Sequence, residues 1–431
     1  MDAFFASVEL LAHPEWRGRP LVVGAGPHER GVVSTCSYEA RRFGIRSAMP
    51  SRTAYQLCPH AVFVRPNMKL YGEVSEKAFE VFGRYTPYVE AVSVDEAFLD
   101  ITGSIHLYES AKALAEALRA EVRRVCGVTC SVGVAPNRLL AKIGSELNKP
   151  DGLTMMPFDP GEIASFLAPR PLSVLWGVGK KTCELLKSYG LTTCLDIQRI
   201  DIRKLELILG SDASAAALRG HAFGLSDDHV AWQPEDEKSV SREHTFDEDE
   251  PSRSAVRSML LELVGEVGRR FRRERRWAKT ARLKLRDAAF RTITRQTTFD
   301  RPARDDIAFR EKALALFDEA WPDSEAVRLS QKAARLVGFG VSNLVDDPTG
   351  DETPSLFEDP EDSARERRER LSEALDALHD RGLLRPASFP RRAPGDASVT
   401  QARTGAACER SQGPRGAAHS SPRSSRRAES S

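Results

Sequence analysis

The stretch AVSVDEAFLD, residues 91–100, places two adjacent carboxylates, Asp95 and Glu96, inside an otherwise apolar, strand-like pattern. Asp and Glu side chains are rarely fully buried unless they are paired or bind a metal, because taking an ionised carboxylate out of water is costly. A bound cation would compensate both charges. The alternative is a hairpin turn with two solvated acids. The pattern therefore predicts either a cation site or an ordinary turn, and the rest of the chain decides between them.

Length and composition exclude little. The 431 residues suffice for two to four domains, and 29% charged with 41% hydrophobic residues is ordinary for a globular protein. The net charge of +1 arises from acidic and basic blocks that nearly cancel, so it identifies no partner. The seven cysteines form no CxxC pair, and the sequence shows neither a signal peptide nor a long apolar run. We expect a reduced, cytoplasmic, monomeric protein without membrane contact.

Residues 11–65 form a small module that contains the segment SYEARRFGIRSAMP. Tyr38 and Arg41 are three residues apart, so on a helix they share one face. Arginine offers forked donors that match phosphate oxygens. This face is therefore either a phosphate clamp or a solvated basic surface.

Residues 66–157 alternate in the order helix, hairpin, helix, strand, helix. With one leading strand, this order predicts an antiparallel α+β layer with helices on one face. Lys142 lies in the first turns of the last helix, RLLAKIGSELNK.

Residues 158–225 contain the segment LSVLWGVGKK between two helical runs. Gly177 and Gly179 would let backbone amides approach a DNA phosphate at a helix N-terminus, and Lys180 follows them. The pattern indicates a helix-hairpin-helix that binds DNA; the alternative is a plain helical turn.

Residues 226–238 predict a linker, and residues 239–345 predict a second α+β domain. Fourteen basic residues against three acids lie between Arg269 and Arg304, which is typical of a surface that binds a polyanion. In KTARLKLRD basic and apolar residues alternate, so one sheet face should be basic. A solvated face usually mixes both signs of charge. The expected contacts with that polyanion are Arg242, Arg282, Lys284 and Arg286.

Four segments, MDAFFASVE, SYEARRFGIRSAMP, SVDEAFLD and APNRLLAKIGSELNKPDGL, resemble in order and spacing the palm and fingers of Y-family DNA polymerases, most closely the bacterial translesion enzymes. The similarity continues to about residue 345. It implies an α+β, multidomain, right-hand polymerase with an antiparallel palm sheet. The implied domains are the palm (1–10 and 66–157), fingers (11–65), helical thumb (158–225), linker (226–238), little finger (239–345), and an acidic linker, short helix and disordered tail (346–431).

The resemblance also implies roles for individual residues. Asp95 and Glu96 would be the catalytic carboxylates and, with the backbone carbonyl of Met1, the ligands of two Mg²⁺ ions. Two such cations stabilise the attacking and leaving oxygens of a phosphoryl transfer. Phe5 would be the steric gate that excludes a ribose 2′-hydroxyl. The incoming triphosphate would be held by Tyr38, Arg41 and Lys142.

The expected function is template-directed, error-prone translesion DNA synthesis on primer-template DNA with deoxynucleoside triphosphates. Two alternatives stay open. One is a Y-family-like DNA-binding protein with impaired catalysis. The other is a palm-fold nucleotidyl cyclase, which would need neither the hairpin glycines nor the basic final domain.

The sequence departs from the family at its start. Family members have a strand that ends in a metal-binding Asp immediately before the position of Met1. We expect Met1 to be an internal methionine, with the true start several codons upstream; the alternative is a truncated, inactive DNA-binding protein.

Ser355, Leu356 and Phe357 lie in an acidic segment and resemble the end of a sliding-clamp-binding peptide. The match is partial, because Thr353 and Pro354 stand where a Gln and an aliphatic residue are usual. The alternative is an incidental apolar pair.

Overall fold

The computed structural model describes residues 1–227, 229–233, 236–322, 333–346 and 360–381. These belong to one compact unit, Met1–Leu384. The helices are α1 Phe4–Ala12, α2 Tyr38–Arg41, α3 Ser51–Leu57, α4 Met68–Tyr85, α5 Ala111–Cys126, α6 Arg138–Leu147, α7 Pro160–Leu167, α8 Lys180–Ser188, α9 Cys194–Arg199, α10 Ile202–Leu209, α11 Asp212–Ala222, α12 Arg253–Arg273, α13 Asp306–Ala320 and α14 Pro360–Asp380. The strands are β1 Leu21–Gly24, β2 Val33–Cys36, β3 Val62–Val64, β4 Val89–Ala91, β5 Ala97–Leu99, β6 Val132–Val134, β7 Leu153–Met155, β8 Ser239–Glu250, β9 Trp277–Asp287, β10 Thr292–Ala303 and β11 Ala334–Val345. Over the described ranges, no helix is long and apolar enough to cross a membrane.

The N-terminal core forms where α1, α4 and α5 pack together. Helix α4 begins at Asn67, whose side chain accepts a hydrogen bond from the backbone N–H of Leu70. Its buried residues recur every three or four positions, which places them on one face. They are Tyr71, Val74, Ser75, Ala78, Val81, Phe82 and Tyr85. The catalytic hairpin expected from the sequence lies against this helix, since Ser75 Oγ donates to the backbone carbonyl of Val94.

The strands of this region form two separate pairs. Strands β4 and β5 are antiparallel, whereas β6 and β7 are parallel. The sequence predicted a single antiparallel layer. Residues of β5 and β6 line one cavity of about 270 Å³, but the two pairs of strands share no ladder of hydrogen bonds, so the layer is divided.

Residues 21–64 form a separate three-stranded sheet in the order β2-β1-β3, with its own small core. A third core joins α6 to the helices that follow it. Leu139, Leu140 and Ile143 of α6 are buried in this helical core. Lys142 lies between Leu140 and Ile143 in sequence yet points toward the hairpin, so α6 connects the two regions.

The last domain has a four-stranded antiparallel sheet in the order β10-β9-β11-β8. Helices α12 and α13 cover one face, where Phe271, Phe309 and Phe317 pack with Phe339 of the sheet. The opposite face carries no helix among the described residues. The fold class expected from the sequence is confirmed by this arrangement and by the structural relatives described below.

Helix α14 packs on the last domain through polar side chains. Glu369 and Ser372 of α14 are buried. Glu369 accepts hydrogen bonds from Trp277 Nε1 and Arg304 Nε, and Ser372 Oγ accepts one from the backbone N–H of Asp306. The leucines Leu371, Leu375 and Leu378 are exposed instead. The docking of α14 therefore depends on charge pairs and hydrogen bonds rather than on apolar burial.

Arg272 is the centre of this docking. Its side chain is 3% exposed and is held by Asp306 and Asp376, each at 2.7 Å. Burial alone would lower its pKa, but hydrogen bonds to Asp376 and Asp306 outweigh that effect and raise the pKa above its usual value.

We expect Arg272→Ala to lower the free energy of unfolding of the last domain by about 3–5 kcal/mol, because it leaves two carboxylates without their buried counter-charge. Urea denaturation, with hydrogen exchange at the amides of α12 and α14, measures the loss. Arg273→Ala is the matched control: Arg273 pairs with Asp380 but is 72% exposed, so a loss of at most about 1 kcal/mol is expected. Equal losses in the two variants would contradict a structural role for the buried pair.

Candidate active site and DNA-binding surfaces

The two predicted catalytic carboxylates lie at the end of the turn that joins β4 to β5. The backbone carbonyl of Glu96 accepts hydrogen bonds from the N–H groups of Val92 and Ser93, which closes the turn. The sequence placed both acids within a strand, whereas the structure places them just before β5, where both are half-buried. Ser93 Oγ donates to Asp95 Oδ1 at 2.9 Å. The amino group of Met1 donates to the backbone carbonyl of Asp95.

Lys142 of α6 meets this turn. Its ammonium donates to Glu96 Oε1 and, at 3.3 Å, to Glu146 Oε1. Burial lowers the pKa of Lys142, but the hydrogen bond and charge of Glu96, with the charge of Glu146, raise it above its usual value overall. Lys142 is therefore a permanent cation at neutral pH. Met1, Asp95, Glu96 and Lys142 all line the cavity of about 270 Å³.

The carboxylates can be tested as metal ligands by their chemistry. In the described part of the chain, no group of three or more His, Cys, Asp or Glu side chains is placed to hold a metal ion. Mg²⁺, however, is usually bound by one or two carboxylates together with waters and substrate phosphates. The pair Asp95 and Glu96 thus fits magnesium that is bound jointly with a triphosphate, rather than an all-protein cage.

Tyr38 and Arg41 form a second polar group on α2. The Arg41 guanidinium lies over the Tyr38 ring, 4.5 Å from its centroid. Burial and the charge of Asp2 raise the pKa of Tyr38, so its hydroxyl remains a donor. That hydroxyl is buried and has no hydrogen-bond partner among the described residues. A buried donor without a partner is costly, and a ligand oxygen would satisfy it.

Phe5 lies on α1 with its ring stacked on Tyr71, at 4.2 Å between centroids and 13° between planes. Tyr71 is fully buried, and its hydroxyl donates to the buried Glu9. Phe5 itself is half-buried, whereas its neighbour Phe4 is 3% exposed. Phe4 is thus the core residue, and Phe5 presents one ring face outside the core.

The predicted helix-hairpin-helix loop precedes α8. Gly177 adopts φ +85°, a left-handed conformation that favours glycine, and Gly179 is the N-cap of α8. A Cβ added at either glycine would meet no atom within 4 Å. The Lys180 side chain is 90% exposed. The loop therefore exposes the backbone of Gly177 and Gly179, and the cation of Lys180, to an anion outside the protein.

Arg282, Lys284 and Arg286 lie on the sheet face that helices α12 and α13 leave open, which we call the open face. Their neighbours across β11 include Gly340 and Gly338. A Cβ at Gly340 would come within 2.7 Å of Ser241 Cβ, so the centre of the face stays flat. The basic side chains contact Gln296, Glu243 and Thr292, respectively.

Arg242 lies on the other face. It pairs across the sheet with Phe339, which packs beneath the helices, and its guanidinium is 3.9 Å from Glu266 of α12. Other basic residues of the cluster also have internal partners. Arg270, Arg272, Arg273, Arg276, Arg291, Arg295 and Arg304 each form an ion pair within the described chain. The basic surface is therefore narrower than the sequence predicted.

Sequence reasoning missed Glu146, Glu9 and Tyr71. Glu146 is four residues after Lys142 on α6, a spacing that could have identified it. The contact of Tyr71 with Phe5 joins residues far apart in the chain, and the sequence offers no signal for it. Ser355, Leu356 and Phe357 lie outside the described residues.

Three segments of the chain match models of known protein families. Residues 1–146 match a model of the impB/mucB/samB family, residues 160–191 match the HHH motif of the IMS family, and residues 237–356 match the impB/mucB/samB family C-terminal domain. Together these segments span more than half of the chain.

Similar proteins include a DNA polymerase IV of Desulfatibacillum aliphaticivorans, 40% identical over 90% of this chain and 95% of the relative. A DNA polymerase IV of Methanoculleus marisnigri is 41% identical over 80% of this chain and 92% of the relative. Among solved structures, a Y-family DNA polymerase chimera of Dbh and Dpo4 has a TM-score of 0.71 at 25% identity, over 80% of this chain and 98% of the chimera. An insertion ternary complex of Dbh DNA polymerase has a TM-score of 0.54 at 25% identity, over the same shares of the two chains.

Proposed function

The chain belongs to the Y family of DNA-directed DNA polymerases, the impB/mucB/samB family, and from this premise we propose that it carries out error-prone translesion synthesis with two Mg²⁺ ions at Asp95 and Glu96. The observation that carries the proposal is one cavity lined by Asp95, Glu96 and Lys142. It combines two hard oxygen ligands with a cation, the groups that a metal-bound triphosphate requires.

In the proposed mechanism, Lys142 serves both Glu96 and the triphosphate. Without substrate, the Lys142 ammonium neutralises Glu96. When bound, Mg²⁺ would neutralise the triphosphate and stabilise the attacking and leaving oxygens. The Lys142 ammonium would donate to a phosphate oxygen of the bound triphosphate, and its contact with Glu146 keeps it within reach of the site. The chain's own contribution is positioning and charge, which is most of what phosphoryl transfer needs.

Tyr38 and Arg41 are proposed to hold the outer phosphates. The buried Tyr38 hydroxyl lacks a protein partner in the described structure, and the adjacent Arg41 supplies forked donors. Glu146 acts electrostatically on both Tyr38 and Lys142. This shared neighbour supports the assignment of the two groups to one substrate.

The DNA partner is assigned to two surfaces. We propose that Gly177, Gly179 and Lys180 bind a backbone phosphate and that the open face binds the duplex. Arg242 is left out of the proposed duplex surface because it faces α12. Primer-template DNA and deoxynucleotides fit as partners, since one similar structure is an insertion ternary complex of a polymerase.

The domain limits expected from the sequence remain our proposal: palm 1–10 and 66–157, fingers 11–65, thumb 158–225, linker 226–238 and little finger 239–345.

Clamp binding through Ser355, Leu356 and Phe357 is also a proposal. Deleting residues 355–357 should abolish stimulation of extension by a sliding clamp and leave unstimulated extension unchanged.

The translesion function is tested by primer extension on paired templates with and without an abasic site. We expect insertion opposite the abasic site and a higher misinsertion frequency on the undamaged template than a replicative polymerase shows. Extension that stops at every lesion tested, with high fidelity, would contradict translesion synthesis while leaving the polymerase activity in place. DNA binding without any extension would favour the impaired relative.

We expect Phe5→Ala to admit ribonucleotides, raising their incorporation relative to deoxynucleotides by on the order of a hundredfold, about 2.7 kcal/mol of discrimination. The exposed face of the Phe5 ring would otherwise block the 2′-hydroxyl, and Tyr71 fixes that ring from behind. The ratio of kcat/KM for paired ribo- and deoxynucleotides measures the effect.

Phe79→Ala is the matched control, because Phe79 packs against the same core from α4 and contacts Phe82 edge-to-face. It should leave sugar selectivity unchanged. If Phe5→Ala stays folded and keeps its selectivity, Phe5 is a packing residue and not the steric gate.

A further inference from the structure

Arg138, the first residue of α6, lies where four segments of the chain meet. Its guanidinium is 4.9 Å from the centroid of Phe98 and 5.8 Å from that of Trp176. It also donates to Glu90 of β4. The side chains of Arg138 and Glu90 are 22% and 15% exposed, so this pair is largely shielded from water.

The other contacts of this cluster extend to the linker. The second carboxylate oxygen of Glu90 accepts a hydrogen bond from the backbone N–H of Ala231 at 2.9 Å. Trp232, the next residue, packs edge-on against Tyr88 beside β4. Glu90 thus holds the linker and Arg138 at the same time.

Two of these residues are close in sequence to the catalytic groups. Phe98 follows Glu96 by two residues on β5, and Arg138 precedes Lys142 by one helical turn on α6. The pair Lys142–Glu96 and the stack Arg138–Phe98 therefore join β5 to α6 at two points. These two contacts fix the position of β5 relative to α6.

Trp176 joins the loop Gly177–Gly179 to the cluster of Arg138 and Phe98. Its ring packs on Phe98 with 5.8 Å between centroids, and it directly precedes Gly177. Trp176 is 44% exposed, so burial alone does not explain its position. Its contacts with a guanidinium and an aromatic ring do, because a planar cation suits an aromatic face.

On the basis of the proposed polymerase function, we infer that Arg138 and Trp176 are positioning residues that fix the loop Gly177–Gly179 to the hairpin bearing Asp95 and Glu96. A DNA strand held by the loop is thereby set at a constant distance from the carboxylates. Misplacement of reacting groups by about 1 Å can cost on the order of a hundredfold in rate. The cluster therefore affects the maximal rate of the reaction and not the affinity for DNA.

The test is single-turnover nucleotide incorporation by the full chain at saturating DNA and nucleotide. Trp176→Ala should lower the maximal rate at least tenfold and leave the Kd for primer-template within threefold. Trp176→Phe, which can still stack on Arg138 and Phe98, should restore the rate to within threefold of the original. Tyr189→Ala is the control, since Tyr189 is an aromatic residue of the same helical region with 60% exposure.

Two outcomes would overturn the inference: a rate within twofold for Trp176→Ala, or a loss of DNA affinity at an unchanged maximal rate. The second would make Trp176 a DNA contact only.

Hydrogen exchange supplies a readout that does not depend on activity. Arg138→Lys keeps the charge facing Glu90 but loses the planar stack, so exchange at the amides of residues 176–180 should rise at least fivefold while α10 is unchanged. Unchanged exchange in the loop would overturn the inference. A parent chain that extends no primer would instead refute the polymerase mechanism, and the exchange result would still decide whether Arg138 anchors the loop.

Discussion

Asp95→Ala and Glu96→Ala are each expected to lower primer extension at least a thousandfold, about 4 kcal/mol of transition-state stabilisation, while the Kd for primer-template stays within threefold. The two carboxylates line the cavity with Lys142, whereas the basic open face belongs to another domain. Removing a carboxylate therefore removes a metal ligand without touching the surface assigned to the duplex. Extension rates and DNA binding, measured separately on the same preparation, check both halves of the expectation.

Asp100→Ala is the matched control for this pair. Asp100 lies just after β5, and its carboxylate accepts a hydrogen bond from the backbone N–H of Thr102 rather than facing the cavity. The hydrogen bonds of Thr102 lower the pKa of Asp100, so a charged carboxylate is removed here as well. Extension by this variant should stay within threefold. Near-normal extension by both Asp95→Ala and Glu96→Ala would show that the site has been assigned to the wrong residues.

The sequence could predict the fold and the place of the turn that carries Asp95 and Glu96, because both depend on local patterns. The period of the apolar residues identified α5 and α6, and the adjacent acids in SVDEAFLD marked the hairpin. The family and the polymerase activity predicted from these motifs are confirmed by the relatives. The assigned site residues stay predictions.

The charge pairing of the last domain could not be predicted in the same way. The basic run from Arg269 to Arg304 looked like one DNA surface, because local sequence shows the charges but not their partners. Arg272 is neutralised by Asp306 of α13 and Asp376 of α14, 34 and 104 residues further along the chain, and Arg304 by Glu369 of α14, 65 residues further along. The sheet face of Arg242 could not be predicted for a related reason: the face of a strand residue depends on the register of the sheet, which the pairing with Phe339 reveals.

Whether a basic side chain already pairs with a carboxylate of the protein determines whether its charge can contribute to DNA affinity. An arginine that already neutralises a buried carboxylate cannot release a counterion from DNA without breaking its own pair. Among the residues that the structure describes, Arg282 and Arg286 contact the neutral Gln296 and Thr292, and Lys284 pairs with an exposed Glu243. These three residues should therefore carry the electrostatic part of binding at the open face, although they are a minority of the basic run.

Reversing Arg282, Lys284 and Arg286 together to Glu is expected to weaken primer-template binding on the order of a hundredfold or more at 0.1 M salt. Each phosphate contact contributes about −0.9 to the slope of log K against log salt, so loss of three contacts should flatten that slope by about 2.7. Titrations of labelled duplex at several salt concentrations measure both quantities.

The matched control reverses Arg257, Arg273 and Arg310, which lie on α12 and α13 across the sheet and carry the same change of charge. That control should keep the original slope, because long-range charge alone is screened within about 10 Å at this salt. Equal weakening by both triple variants would mean that total charge, and not the open face, determines the affinity.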